Sequence, residues 1–387
     1  MQSQIYLDYQ ASTPMDPRVS EAMAKYTSVH FGNPHANHAF GWQAQRAIEL
    51  ATQRISDAVR CDPDEIVFTS GATEANNLAI LGLAARKEQT RNRILFSAIE
   101  HKCVLESARV ATERFRVQVE VIPVDADGLV SMDYLERSLS DDVLLVSVNA
   151  VNNEIGTVQP LKPITELCQR FGAVVHTDAA HALTTRSVDV NEWGVDLLSL
   201  SSHKVYGPMG IGALYIRRDI QDRLEPLIYG GGQQRGLRSG TVPVPLCVGF
   251  GTAVALAVGA NSGAERERIG SLRDSFVARL LKAIPNSELN GPAPNSRHCG
   301  NANIRFCGHD GHDLLDRLAP AIAASTGSAC MSGAQEPSHV LRAIGLSDEN
   351  ANSSIRFGFG RFTTEEEITT AARAIIAVVL EEQTVAS

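Results

Sequence analysis

The chain has 387 residues, 44% hydrophobic and 20% charged, with 35 basic against 44 acidic side chains and a formal charge of −9. That length predicts two domains, or one large domain with an appendage. That charge balance argues against a dedicated nucleic-acid binder, which would carry a basic stripe, so no direct nucleic-acid binding is expected. Seven cysteines at wide, irregular spacing, with no CxxC pair, do not make a disulfide framework, a zinc ribbon or a thioredoxin-like site.

Taken in chain order, the first ten residues, MQSQIYLDYQ, lack the basic and apolar regions of a signal peptide, and a reducing cytoplasmic setting is the expectation. From about residue 64 to 217 short β-rich runs alternate with helical stretches. Residues 66–70, 93–97, 143–149, 173–178, 195–200 and 211–216 read as strands, with a helix from Ala72 to about Lys87. Continuous apolar runs such as VLLVSV suit strands covered on both faces, as in a largely parallel sheet with helices outside. The fold class is therefore α/β.

Residues 240–264 contain no charged side chain and must be weighed as a membrane span. Pro243 and Pro245 would break such a helix near its start, and Gly249, Gly251 and Gly259 dilute it. A buried helix beginning near Leu246 is the better reading, and no membrane association is expected. Beyond about residue 260 the pattern changes. Helices over 265–283, 311–318 and 364–381 mix with strand-like pieces at 302–306, 321–324 and 354–357, which fits a smaller α+β unit. The expected division is a large domain over 15–260 and a small one built from 1–14 and 261–387.

Sites in α/β proteins gather at strand ends, and three strand ends here carry reactive groups. Thr69-Ser-Gly-Ala-Thr-Glu74 is a strand, a Gly turn and a helix start, where backbone N–H groups can hold an anion. Plain helix capping by Ser or Thr remains an open alternative. Asp178 ends the run AVVHTD and could keep a heterocyclic nitrogen protonated; the competing reading is a helix cap. Ser201-Ser-His-Lys204 follows the strand VDLLSL, and Lys is the residue that forms Schiff bases with carbonyl cofactors. An anion cradle, a strand-end Asp and then a Lys 26 residues later make the combination a pyridoxal-phosphate site requires.

At this point the chain resembles a known family. The blocks FGNP, VFTSGATEANNLAI, EHKCVL, VNNEIGTVQP, SSHKVYGPMGIGALYIRR, GGGQQRGLRSGT, STGSACMSGAQEPSHVLRAIG and SSIRFGFGRFTTEEEI are similar to those of cysteine desulfurases of the NifS/IscS type. These belong to the class-V aminotransferases among the fold-type I pyridoxal-phosphate enzymes. The resemblance runs from Tyr6 almost to the end. It implies a large domain with a mostly parallel, seven-stranded type of sheet and a smaller α+β domain that carries the catalytic cysteine loop. It further implies that pyridoxal 5′-phosphate is the cofactor, L-cysteine the substrate, and L-alanine and a Cys330 persulfide the products.

By the same resemblance, Lys204 forms the Schiff base, Asp178 partners the pyridine nitrogen, and His101 stacks on the ring and shuttles protons. Ala72, Thr73, Ser201 and His203 match phosphate contacts, and Asn153 a residue near the cofactor hydroxyl. Thr241 matches a contact donated across a dimer interface, so a homodimer is implied. Arg356 matches the arginine that grips the substrate carboxylate, helped by Asn33. Cys330 lies in a run of small residues, Gly327-Ser-Ala-Cys-Met-Ser-Gly-Ala334, short of large apolar anchors. That composition suits a thiol that must reach the cofactor and then an acceptor protein. Cys103 and Cys247 read as ordinary packed cysteines.

Two departures stand out. His181 occupies a position where the family usually has a glutamine on the cofactor hydroxyl, and an imidazole there is expected to titrate near neutrality and alter the pH profile. The segment after FGNP reads His35-Ala-Asn-His38 instead of a Ser-rich run. The sulfur acceptor stays open: an iron–sulfur scaffold or a sulfur carrier, serving cluster assembly, tRNA thiolation or DNA sulfur modification. Rival readings are a related lyase acting on selenocysteine or kynurenine-like substrates, an ordinary aminotransferase, and a partner subunit with a decayed site.

Overall fold

The computed structural model describes residues 4–86, 90–319, 321–327 and 336–385. Its strands, in chain order, are β1 (Ile5–Tyr6), β2 (Ile66–Thr69), β3 (Arg93–Ser97), β4 (Gln118–Ile122), β5 (Val143–Ser147), β6 (Val174–Asp178), β7 (Leu197–Ser201), β8 (Gly212–Ile216), β9 (Ser287–Leu289), β10 (Asn301–Phe306), β11 (Ile322–Ala323) and β12 (Ser354–Gly358).

A seven-stranded sheet has the order β2-β8-β7-β6-β5-β3-β4. The apolar runs VLLVS of β5 and VVHTD of β6 are buried throughout, as expected for strands covered on both faces. The sheet is parallel except for β8, which runs antiparallel to both β7 and β2. β4 was not anticipated: its sequence QVEVI alternates polar with apolar residues at the edge of the sheet, and only Ile122 of it is buried. The uncharged stretch forms a buried helix, Val244–Ala257, starting two residues before the expected position. Proline is tolerated in a first helical turn, so Pro243 and Pro245 begin this helix where they would break the middle of one. Among the described residues no single helix is long and apolar enough to cross a membrane.

Two positions bring the sheet close to its first helix. A Cβ at Gly212 would lie 2.5 Å from the Leu200 carbonyl oxygen and 2.7 Å from Gly71, so only glycine lets β8, β7 and the start of helix Ala72–Ala84 meet there. The outer edge of β2 is sealed by a side chain. The Gln234 amide accepts from Phe68 N (2.6 Å) and donates to Phe68 O (2.9 Å), from a tight turn in which Gln234 and Arg235 take φ 51° and 60°.

A second core gathers Leu7, Phe276, Phe306, Phe357, Phe359 and Ile368 around the antiparallel sheet β12-β10-β9. The Phe276 ring stands edge-on to Phe357 and Phe359, with centroids 5.0 and 5.2 Å away. β1 pairs with β11 in parallel, which joins the N-terminal segment to the C-terminal part of the chain. Arg361 then links the N-terminal segment to helix Ser262–Ala283, through Asp16 (2.7 Å) and Glu265 (2.9 Å).

Candidate active site

The carboxyl ends of β2, β6 and β7 open onto one cavity of about 530 Å³, with the β5 end contributing Asn149, Val151 and Asn153. Ala72, Thr73, His101, Asn153, Asp178, His181, Ser201, His203 and Lys204 all line it, although the sequence spreads them over 133 positions (204 − 72 = 132 steps).

At one end, helix Ala72–Ala84 begins at Gly71 without any side-chain cap. Its first-turn N–H groups therefore lack the partners that helix starts require, and they suit an anion. The helix's own acid is turned aside: Glu74 accepts from Arg238 Nε (2.8 Å) and Ser70 N (2.6 Å). His203 adds a neutral imidazole near this end, its pKa lowered to about 4 by burial and by the charge of Lys204.

Asp178 closes β6. Its Oδ2 accepts from Asn76 Nδ2 (2.7 Å) and its Oδ1 from Ala180 N (2.9 Å), which fixes the carboxylate at the cavity wall. Behind it lies Glu100, fully buried, whose Oε1 accepts from Asn149 N (2.5 Å). Burial first, and the nearby Asp178 charge second, push the Glu100 carboxyl well above the usual range, which favours its protonated form.

Lys204 sits in the single turn Ser202–Lys204 that follows β7. Its Nζ donates to the carbonyls of Gln10 and Ala11, the latter at 2.9 Å. Burial, then the charge of Arg356, lowers its pKa to about 8, which gives a sizeable fraction of free amine near neutrality. His101 is the N-cap of helix Lys102–Phe115 and presents its ring to the cavity; burial lowers its pKa.

His181 departs from expectation. Burial, reinforced by the charge of Lys204, holds its pKa well below the ordinary imidazole value, so it stays neutral where titration near neutrality was expected. Three other expected residues are off the cavity wall. Arg356, in β12, is buried, and its Nη2 donates to Asp8 Oδ1 (2.8 Å) and Ser325 Oγ (2.8 Å). Asn33 is exposed and its Oδ1 accepts from His35 N (3.0 Å), while Thr241 is exposed on the surface of its own chain. Cys330 lies outside the described residues.

Sequence reading missed Asn76, Glu100, Asn149 and Asp8. Asn76 carried a faint signal, one helical turn after Thr73 on the same face. Asn149 Oδ1 is buried at the cavity with no partner among the described residues, a polar atom that a bound group could satisfy.

An anion cradle, a fixed carboxylate and an amine of lowered pKa on one cavity match the pattern of the class-V aminotransferases, whose family profile covers residues 5–370. The chain is 46% identical over 372 residues to cysteine desulfurase IscS of Rickettsia akari (strain Hartford), covering 96% of this chain and 90% of the relative. The chain belongs to the cysteine desulfurases of the class-V aminotransferase family. Like the other desulfurases it is an enzyme, and its fold has close solved counterparts. A NifS-like protein superimposes with a TM-score of 0.91 at 32% identity, covering 97% of this chain and 99% of that one. A structure described as SspA in complex with cysteine superimposes with a TM-score of 0.81 at 37% identity, covering 93% of this chain and 99% of that one.

Proposed function

We propose that the protein uses pyridoxal 5′-phosphate to remove sulfur from free L-cysteine, giving L-alanine and a persulfide on Cys330 for a protein sulfur acceptor. The observation that carries this reading is that the Lys204 amine, the Asp178 carboxylate and the uncapped start of helix Ala72–Ala84 face a single cavity. Asn149 Oδ1, buried and unpartnered there among the described residues, adds an open polar position.

The residues fit the cofactor by their chemistry. The helix start, with Ala72, Thr73, Ser201 and His203, would hold its phosphate, Asp178 its ring nitrogen, and Asn153 and His181 its hydroxyl. When bound, the cofactor supplies an electron sink for the bond broken next to the substrate amine. Lys204 would hold the cofactor by its amine, and that amine, once free, would take the proton from the substrate carbon. Asp178 keeps a proton on the ring nitrogen through a charge-assisted hydrogen bond. His101 exchanges protons with the substrate, and Arg356 attracts the substrate carboxylate, helped by Asn33. Cys330 attacks the substrate sulfur as a thiolate; the carbon–sulfur bond breaks, its electron pair stays with the carbon fragment, and that fragment takes up protons to become L-alanine. Thr241, exposed and away from its own cavity, completes the phosphate site of a second copy in a cytoplasmic homodimer.

The test is Cys330→Ser. The variant should keep the yellow cofactor band and the spectral change on adding cysteine, yet form no alanine in repeated turnover. Alanine formation at the wild-type rate would overturn the role of Cys330, and a protein that stays colourless with added cofactor would overturn the whole reading.

A further inference from the structure

His101 begins helix Lys102–Phe115 as its N-cap, with extended backbone (φ −63°, ψ 146°). Its Nδ1 accepts from the backbone N–H of Cys103 at 3.2 Å. The Cys103 thiol reaches the same nitrogen, with Sγ 3.0 Å from Nδ1. That sulfur is itself an acceptor, for Asn76 Nδ2 at 3.1 Å. The same Asn76 nitrogen donates to Asp178 Oδ2 at 2.7 Å. One amide therefore spends its two hydrogens on the thiol and on the carboxylate, and with the Thr73 hydroxyl also meeting the sulfur as a donor the thiol can turn its single hydrogen to Nδ1.

We propose that Cys103 is a positioning residue for His101, its backbone N–H and thiol together holding Nδ1 as an acceptor so that the imidazole carries its proton on Nε2. A neutral imidazole has one N–H, and an Nδ1 that receives two donors cannot be the nitrogen that bears it. The proton stands on the nitrogen turned away from the helix, so His101 at rest gives a proton to the cavity before it takes one. This deepens the function proposed above and rests on it only for the use made of that proton.

The charges around the ring do not undo the assignment. Asp178 and Glu154 draw a second proton toward His101, while Lys204 and His339 repel it, and burial outweighs each of them in keeping the ring neutral. A second proton on Nδ1 would also face the Cys103 N–H head-on and break the helix cap. A role for Cys103 as a second sulfur carrier fails on the same surroundings. Burial and the Asp178 charge push its thiol up to about 12, and the thiolate needed to receive sulfur is scarce.

The test uses the full-length protein labelled with imidazole-¹⁵N histidine, with and without cofactor, His101 being identified by the signals lost in His101→Gln. Wild type should show the Nε2–H form from about pH 6 to 8. Cys103→Ala should let a population of the Nδ1–H form appear and lower kcat for alanine formation on the order of 3- to 10-fold, with KM for cysteine unchanged. Cys103→Ser, which keeps a donor, should restore the single form and bring kcat to within about 2-fold of wild type. An Nδ1–H ring or an imidazolium in wild type overturns the proposal, as does a Cys103→Ala protein with the wild-type form and rate. The measurement on the cofactor-free wild type needs neither a folded variant nor turnover, so its failure is distinct from failure of the desulfurase reading.

Discussion

Replacing Arg356 by Gln removes a buried cation with two consequences of different pH dependence. Arg356 is the second cause, after burial, of the fall of the Lys204 pKa from 10.5 to about 8. That difference of 10.5 − 8 = 2.5 corresponds to about 3 kcal/mol between the charged and neutral amine. Without Arg356, burial is the one lowering cause left, while Asp178 and then Asp8, freed from its 2.8 Å ion pair, pull the amine toward its charged form. A rise of about one pH unit lowers the free amine at pH 7 from about one part in ten to about one in a hundred. Loss of a charge-assisted bond to the substrate carboxylate costs about 2 kcal/mol, or ~30-fold, at every pH. The carboxylate loss therefore lowers kcat/KM ~30-fold at every pH, while the Lys204 amine, released only in the substrate complex, lowers kcat a further ~10-fold near pH 7 and hardly at all near pH 10. The assay is alanine formation across that range, joined to competitive acetylation of Lys204 in the cofactor-free protein, which reads the amine directly. Arg356→Lys keeps the cation, so it should weaken cysteine binding without moving the pH dependence. A Gln variant with the same kcat deficit at all pH values and an unmoved Lys204 amine would refute the reasoning.

Two further outcomes follow from the buried histidines. His181 is neutral across the working range, so His181→Gln, which exchanges one neutral donor for another, should leave the shape of the kcat/KM pH profile unchanged and the rate within about 3-fold; disappearance of an acid limb in the variant would show that His181 titrates after all. His176, between Ser147 Oγ (2.8 Å) and Ser199 Oγ (3.1 Å), and His298 both have pKa values lowered from 6.5 to about 4. Because the folded values lie below the unfolded one, protons bind the unfolded chain first. Stability is therefore whole above about pH 6.5 and falls as pH drops toward 4, by up to about 3 kcal/mol for each ring. Urea midpoints measured between those pH values should fall for wild type and fall less steeply for His176→Gln; parallel slopes would rule the histidine out as the source.

Much of this site was legible because its parts sit at strand ends that announce themselves. VVHTD and LLSLS are buried strands with a carboxylate and a lysine turn at their ends, and both strands lie where their apolar runs put them. β4 escaped because an edge strand with one wet face, QVEVI, has no continuous apolar run. The antiparallel course of β8 escaped because its run, GALYI, is as apolar as its parallel neighbours. Pairings across the chain left no trace either. Asp8 meets Arg356 from 348 residues away, and Asn76 reaches Asp178 from 102 away. The thiol of Cys103 read as packing because nothing in EHKCVL reveals that it turns back onto the imidazole two residues before it.

The Gln234 amide also matters for what the protein avoids. A bare edge strand of IVFT, apolar and free of charge, would offer its N–H and C=O groups as a template for another chain. Gln234 occupies the donor and acceptor of Phe68 as a neighbouring peptide would, so an incoming strand must first evict it. One side chain on a strained turn thus stands in for a missing eighth strand and guards the sheet against edge-to-edge aggregation.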